Sequence, residues 1–165
     1  MFIFASYAGG IRVSDVLKLR WLDFDGTHIH LTMRKTKEQI SIKLPNKSLD
    51  IIEKYRPLKD GQLSYIFPIL SSDFKNLNAE AIHKALVNGT SLINNSLNKI
   101  RLRLDIQKRL TFHVSRHTFA TRALKKGIAI DKVQKILGHS DIKETQIYAK
   151  IVSSELDNAM DVFND

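Results

Sequence analysis

His113 and Arg116 stand three positions apart, so on a helix they share one face and can hold a single small anion between them. Leu137-Gly138-His139 follows, and then Tyr148. Gly138 is placed to end one helix, and Ser140-Asp141 to open the next, with Tyr148 on its last turn. Three short elements can therefore bring imidazoles, a guanidinium and a phenol to one point. The chemistry these groups suit is attack on a phosphodiester, which needs a nucleophile, cations for the charge that builds on the non-bridging oxygens, and an acid for the leaving alkoxide. Arg12 and Arg116 can form a guanidinium clamp, His113 and His139 are further donors, Lys35 is a candidate proton donor and Tyr148 a candidate nucleophile. Tyrosine has a pKa near 10, so surrounding cations must favour its phenolate as it attacks. Metal-dependent nucleases use clustered carboxylates instead, and the acids here are scattered. His113 and His117 have the spacing of a helical metal pair, but Val114 stands where the metalloprotease pattern needs Glu and no third ligand is apparent, so no metal or other cofactor is expected.

The elements that must position these groups read as a mostly helical α+β domain. Phe2 to Ala8 is an apolar stretch ending in Gly9-Gly10. Ile11 to Trp21 has Val13, Val16, Leu17 and Trp21 at helical spacing, with Arg12 at its start. His28 to Arg34 alternates, as do Ile40, Ile42 and Leu44 after the polar run Lys35-Thr36-Lys37-Glu38-Gln39, predicting a β-hairpin over about 28–44 with Lys35 and Lys37 at its tip or shoulder. Ser48 to Tyr55 reads as a helix capped by Asn46 or Ser48 and stopped near Pro57. Tyr65 to Pro68 is a short buried segment, and Ser71 to Asn78 a loop. Ala79 to Val87 and Ser91 to Leu104 have helical periodicity on either side of Asn88-Gly89. His113 to Lys125 is a helix with Gly127 as its break, and Ile130 to Leu137 another. Leu156, Ala159, Met160 and Phe163 make an apolar stripe on a helix from about Ser154 to Val162, whose other face is acidic.

The chain has 165 residues, 43% of them hydrophobic, enough for one domain with its own core. It has no cysteine, hence no disulfide framework or thiolate metal site. No apolar run approaches the length that crosses a bilayer and no basic leader opens the chain, so a cytoplasmic location is expected. The net charge of +9 is uneven. Between Lys99 and Lys126 nine Lys and Arg, among them Arg101, Arg103, Lys108 and Arg109, face the single Asp105. Such a block beside the His113/Arg116 helix points to a phosphate backbone, and so to double-stranded DNA, as partner. From Ser153 to Asp165 there are four acids (Glu155, Asp157, Asp161 and Asp165) and no base, so the tail should keep off the same polyanion.

At these residues the chain resembles the tyrosine recombinase (phage integrase) family, in particular integrases of conjugative transposons and other mobile elements, and the resemblance covers nearly the whole chain. Gly10-Ile11-Arg12-Val13-Ser14-Asp15 is similar to the first arginine motif, His113-Val114-Ser115-Arg116-His117 to the His-x-x-Arg box, Leu137-Gly138-His139-Ser140 to the next box, and Thr145-Gln146-Ile147-Tyr148 to the nucleophile segment. The resemblance implies that Arg12, His113, Arg116 and His139 contact the scissile phosphate, that Tyr148 attacks it to give a 3′-phosphotyrosyl intermediate, and that Asp15 and His117 support them. Lys35 matches the hairpin lysine that serves as general acid, with Lys37 the alternative if the register slips. It further implies the catalytic-core fold of that family over residues 1–165, with the usual N-terminal core-binding domain absent from this chain. Strand exchange would proceed without metal or nucleotide, on double-stranded DNA and in association with the nucleoid. The chain would be monomeric when free and tetrameric on paired sites. A type IB topoisomerase shares the chemistry, but the short segment after Tyr148 and the integrase boxes favour a recombinase. The competing reading is a truncated relic that binds DNA without cutting it.

Overall fold

The computed structural model describes residues 1–32, 39–56, 64–71, 74, 76–139, 141 and 143–148. Its elements are α1 (Phe2–Tyr7), α2 (Val13–Lys18), a 3₁₀ turn (Trp21–Asp23), β1 (His28–Thr32), β2 (Gln39–Lys43), α3 (Asn46–Glu53), α4 (Ala79–Arg103), α5 (His113–Lys125) and α6 (Ile130–Leu137). A last helical segment covers residues 143–148. The expected tail helix, and Lys35 and Lys37 of the hairpin tip, lie outside the described residues.

The hairpin forms where alternation placed it. β1 and β2 pair antiparallel, from His28 opposite Lys43 to Thr32 opposite Gln39. Ile29 and Ile42 are opposite one another on the buried face, as period-2 patterning requires. Asp25 fastens the approach to β1, accepting from the backbone N–H of Thr27 at 2.8 Å and of His28 at 2.7 Å. Those two bonds, with His30 at 2.9 Å, hold its carboxyl well below the usual carboxylate range.

Three helix boundaries differ from the periodicity reading. The pattern over Ile11–Trp21 predicts one helix, but α2 ends at Lys18, because Leu19 to Trp21 pairs instead with a distant extended segment. The Ile66 N–H donates to Leu19 O, the Trp21 N–H donates to Ser64 O, and Arg20 bridges to Tyr65. α3 starts earlier than expected, with Pro45 as its N-cap and no side-chain cap, so neither Asn46 nor Ser48 caps it. Ser48 is instead fully buried, and its Oγ has no hydrogen-bond partner among the described residues. α4 runs unbroken through Asn88-Gly89 for 25 residues. Asn78 caps it by accepting from the Ala81 N–H at 2.9 Å, Glu80 lies in its first turn and Arg101 and Arg103 in its last, each favourable to the helix dipole. A glycine inside a helix costs about 1 kcal/mol but does not stop it. Here its bare Cα faces α2, where an added Cβ would sit 3.3 Å from Leu17 Cδ1 and 3.4 Å from Ile69.

The main core gathers Phe4, Leu17, Leu19, Ile29, Ile52, Ile66 and Phe67 from α1, the α2 region, the hairpin, α3 and the Tyr65–Phe67 segment. A smaller cluster of Ala120, Ala123, Val133, Leu137 and Tyr148 joins α5, α6 and the last helical segment. α1 packs against both α3 and α5, so the Gly9-Gly10 turn that follows it lies where the two clusters meet. Among the described residues no helix is long and apolar enough to cross a membrane.

Candidate phosphate-binding and nucleophile site

The turn after α1 is shaped by two glycines with positive φ, +76° at Gly9 and +63° at Gly10. It ends at Arg12, the N-cap of α2. On Gly10 a Cβ would lie 3.0 Å from Leu137 Cδ2 and 3.2 Å from Arg116 Cα, so the backbone approaches α5 and α6 at a distance only glycine permits. Gly10→Ala is therefore expected to destabilise the fold by about 2–4 kcal/mol, from left-handed strain plus overpacking. Gly26→Ala, at φ +101° with open space around it, should cost only the strain of about 1–2 kcal/mol. Urea unfolding of the two variants measures the difference.

That close approach positions the arginines. Arg116, only 4% exposed, donates through Nη1 to Gly10 O at 2.9 Å and through Nη2 to Leu137 O. Arg12 donates through Nη2 to Gly138 O at 3.3 Å. Leu137 ends α6, and Gly138 is its left-handed C-cap at φ 60°, ψ 46°, so the carbonyls at that helix end, its negative pole, face both guanidiniums. Carbonyl partners orient a guanidinium without neutralising it. Burial, and next the charge of Arg12, bring the Arg116 pKa down to about 10, which leaves Arg116 cationic at neutral pH.

In front of them is a cavity of about 240 Å³ lined by Ile11, Arg12, Val13, Ser14, Phe112, His113 and Arg116. His113 opens α5, and the helix start is fixed by a bond from the Phe112 N–H to Asn94 Oδ1 of α4 at 2.8 Å. Burial, then the nearby His117, Arg116 and Arg12, lower the His113 pKa from its ordinary value, so the imidazole is neutral at pH 7 and ready to hydrogen-bond an anion.

The groups of the C-terminal part form a second, adjoining set. His139 is buried, its Nδ1 2.8 Å from Thr145 Oγ1 and its Nε2 3.5 Å from Glu144 Oε2. Tyr148 is 5% exposed, its ring within the Ala120/Val133/Leu137 cluster and its Oη 2.8 Å from His117 Nδ1. Burial raises the Tyr148 pKa, Arg116 lowers it and Glu144 raises it further. The two sets meet through His117, whose ring stands edge-on to that of His113 with centroids 4.5 Å apart.

Of the residues picked out in the sequence, the structure thus gathers Arg12, His113 and Arg116 around one cavity, with His117, His139 and Tyr148 beside it. Asp15 is buried, 3.9 Å from Lys18 Nζ, with burial raising its pKa against the pull of Lys18, Arg12 and Arg116, so its charge reaches both arginines of the site. It lines a separate polar cavity with Arg20, Asp23, His30 and Tyr65. Arg103, Lys108 and Arg109 are exposed, whereas Arg101 is tied to its own turn, donating to Asn98 Oδ1 at 3.0 Å and to Ile106 O at 3.2 Å. Sequence reasoning missed Asn94, Glu144 and Thr145. Thr145 had a signal, being three positions before Tyr148 and so on its helical face. Asn94 had none, since its partner is a backbone group in another element. Among the described residues no group of three or more His, Cys, Asp or Glu could hold a metal ion.

A cavity lined by two arginines, with a buried phenol and imidazoles at its side, is a candidate anion site beside a candidate nucleophile. Residues 1–155 match the sequence model of the Phage integrase family, and the chain belongs to that family. It is similar to the tyrosine recombinase XerD of Listeria monocytogenes, 30% identical over 166 residues that cover 96% of this chain and 52% of the relative. Its fold is similar to that of the XerH site-specific recombinase, solved bound to palindromic difH substrate as a post-cleavage complex (TM-score 0.67, 16% identity, 99% of this chain and 45% of that one). The Tn1549 transposon integrase, solved in complex with transposon right end DNA, shares it too (TM-score 0.60, 20% identity, 95% of this chain and 57% of that one). The chain spans about half the length of the curated relatives it matches.

Proposed function

We propose that this chain is the catalytic domain of a DNA site-specific recombinase or integrase. The observation that carries the reading is the arginine pair, oriented by carbonyls and facing an anion-sized cavity, with a phenol one imidazole away from it. Arg12, Arg116 and His113 hold the non-bridging oxygens of the scissile phosphate, with His139 as a further donor. Tyr148 Oη forms the bond to phosphorus while the bond to the 5′-oxygen breaks. Lys35, which in sequence lies between β1 and β2, supplies the proton to that oxygen. The phosphotyrosyl link conserves the energy of the broken bond, and a 5′-hydroxyl from a partner strand reverses the step, restoring a phosphodiester without metal or nucleotide. The basic block carrying Arg103, Lys108 and Arg109 takes the DNA backbone. Copies that are monomeric when free assemble as a tetramer on paired sites. Support comes from the family membership and from the similar structures, which hold DNA.

The test is a pool of randomised duplexes, nicked so that the short strand released by cleavage diffuses away. Incubated with the chain and washed in denaturant, the pool should leave DNA bound to protein, and peptide mapping should place the nucleotide on Tyr148. DNA retained in native gels with no denaturant-resistant adduct would establish the competing reading, a relic that binds without cutting.

A further inference from the structure

We infer that Glu144 holds the place of the scissile phosphate in the free chain, its carboxylate paired with His139 until a phosphodiester displaces it. This role rests on the proposed cleavage reaction, in which His139 donates to the phosphate. Both ring nitrogens of His139 are engaged: Nδ1 lies 2.8 Å from Thr145 Oγ1 and Nε2 3.5 Å from Glu144 Oε2. A carboxylate only accepts hydrogen bonds, so Nε2 carries a proton, and in the neutral ring Nδ1 accepts from the Thr145 hydroxyl. A phosphate oxygen needs that same proton on Nε2, and the anion in front of it is Glu144. An incoming oxygen must therefore replace one of the two partners. Thr145 is fully buried and has nowhere to go, whereas the Glu144 side chain is 40% exposed and can swing into solvent.

Charge makes the exchange one for one. A carboxylate and a phosphodiester each carry a single negative charge, so replacing the first by the second leaves the balance of the site unchanged. Glu144 acts on two further groups: its charge favours the guanidinium of Arg116 and disfavours ionisation of Tyr148. The ionisable groups that face it are thus His139 after α6, Arg116 on α5 and Tyr148 on its own helical segment, all of which the proposed reaction places at the phosphate. With both anions present, two like charges would compete for one set of donors and repel each other. Entry of DNA therefore weakens the hold of His139 on Glu144, and by reciprocity the loss of that hold strengthens the binding of DNA. Glu144 is a positioning residue that acts through His139.

The experiment measures affinity by native gel retardation on duplexes retained from the pool above, for the wild-type chain, Glu144→Gln, His139→Asn and the double variant. Glu144→Gln should bind about 5-fold more tightly or better, the lower end of coupling between two ligands of one protein. In the His139→Asn background the same substitution should gain almost nothing. Asp141→Asn is the control for charge alone, since Asp141 is an exposed acid just ahead of the same segment and Asn keeps an oxygen for the Lys143 N–H that Asp141 accepts from. Its gain should fall short of that of Glu144→Gln. A gain that persists without His139, or that Asp141→Asn equals, would overturn the inference. So would weaker binding by Glu144→Gln, the result if the carboxylate were needed to orient the imidazole. A readout without DNA stands beside these and covers a His139 variant that fails to fold: the His139 Nε2 resonance should shift between the wild-type chain and Glu144→Gln, and an unmoved resonance would remove the pairing. Affinity alone is read, so a chain that binds DNA but forms no adduct fails the cleavage reaction and leaves the exchange standing. Unchanged affinity in Glu144→Gln, in a chain that does form adduct, has the reverse meaning.

Discussion

Tyr148→Phe is expected to abolish the denaturant-resistant DNA adduct while leaving the fold and native DNA binding almost unchanged. Phenylalanine keeps the ring that packs against Ala120, Ala123, Val133 and Leu137, so no cavity opens. The loss is one hydrogen bond, to His117, worth about 1 kcal/mol. Since His117 is exposed, water replaces the missing hydroxyl at its Nδ1, which keeps the cost at or below that value. Chemistry responds quite differently, because no neighbouring group can supply the attacking oxygen. Thr145, the nearest hydroxyl described on the same helical face, is fully buried and held against His139. Comparing adduct yield, gel retardation and urea midpoint in one preparation checks all three parts. An adduct of undiminished yield in the phenylalanine variant would place the nucleophile elsewhere.

What the sequence made legible was local. α5 and α6 lie where apolar spacing and their terminal glycines put them, because a helix face and a C-cap are written within a few residues. The hairpin register follows from alternation for the same reason. What was not legible depends on partners far along the chain. Nothing near Leu19 announces that its carbonyl pairs with Ile66, and that pairing is what shortens α2. Gly89 looks like a break until Leu17 occupies the space a side chain would need. Within the site the residue types were visible, since Arg12, His113, Arg116, His139 and Tyr148 are conspicuous by chemistry and spacing. Their partners were not. That Arg116 is anchored on Gly10 O, and that Tyr148 meets His117 and not the arginines directly, are consequences of how α1, α5 and α6 pack. The hairpin lysines, Lys35 and Lys37, lie outside the described residues, and their assignment rests on pattern and resemblance.

Arg116→Ala should have the second large effect, and it should strike folding and chemistry together. The guanidinium bridges the turn after α1 to the end of α6, and its removal leaves two enclosed carbonyls, of Gly10 and Leu137, without their donor. An unsatisfied buried acceptor costs about 1–3 kcal/mol, so a loss of about 2–5 kcal/mol is expected in urea unfolding. Arg116→Lys separates the two roles. An ammonium keeps the charge but lacks the planar fork that reaches two carbonyls at once, so the lysine variant should recover part of the stability. It should still form adduct about 10²–10³-fold more slowly, the effect of losing one oriented donor to a developing oxyanion. Both rates must be read well below the variants' unfolding range, where each is fully folded. If Arg116→Lys formed adduct at the wild-type rate despite its weaker anchoring, Arg116 would be a structural strut between α1 and α6, and the phosphate would be held by Arg12 and His113 alone. If it were slow at full stability, the orientation set by Gly10 O and Leu137 O would be the catalytic asset, and the glycine turn that brings Gly10 against α5 would be part of the active site.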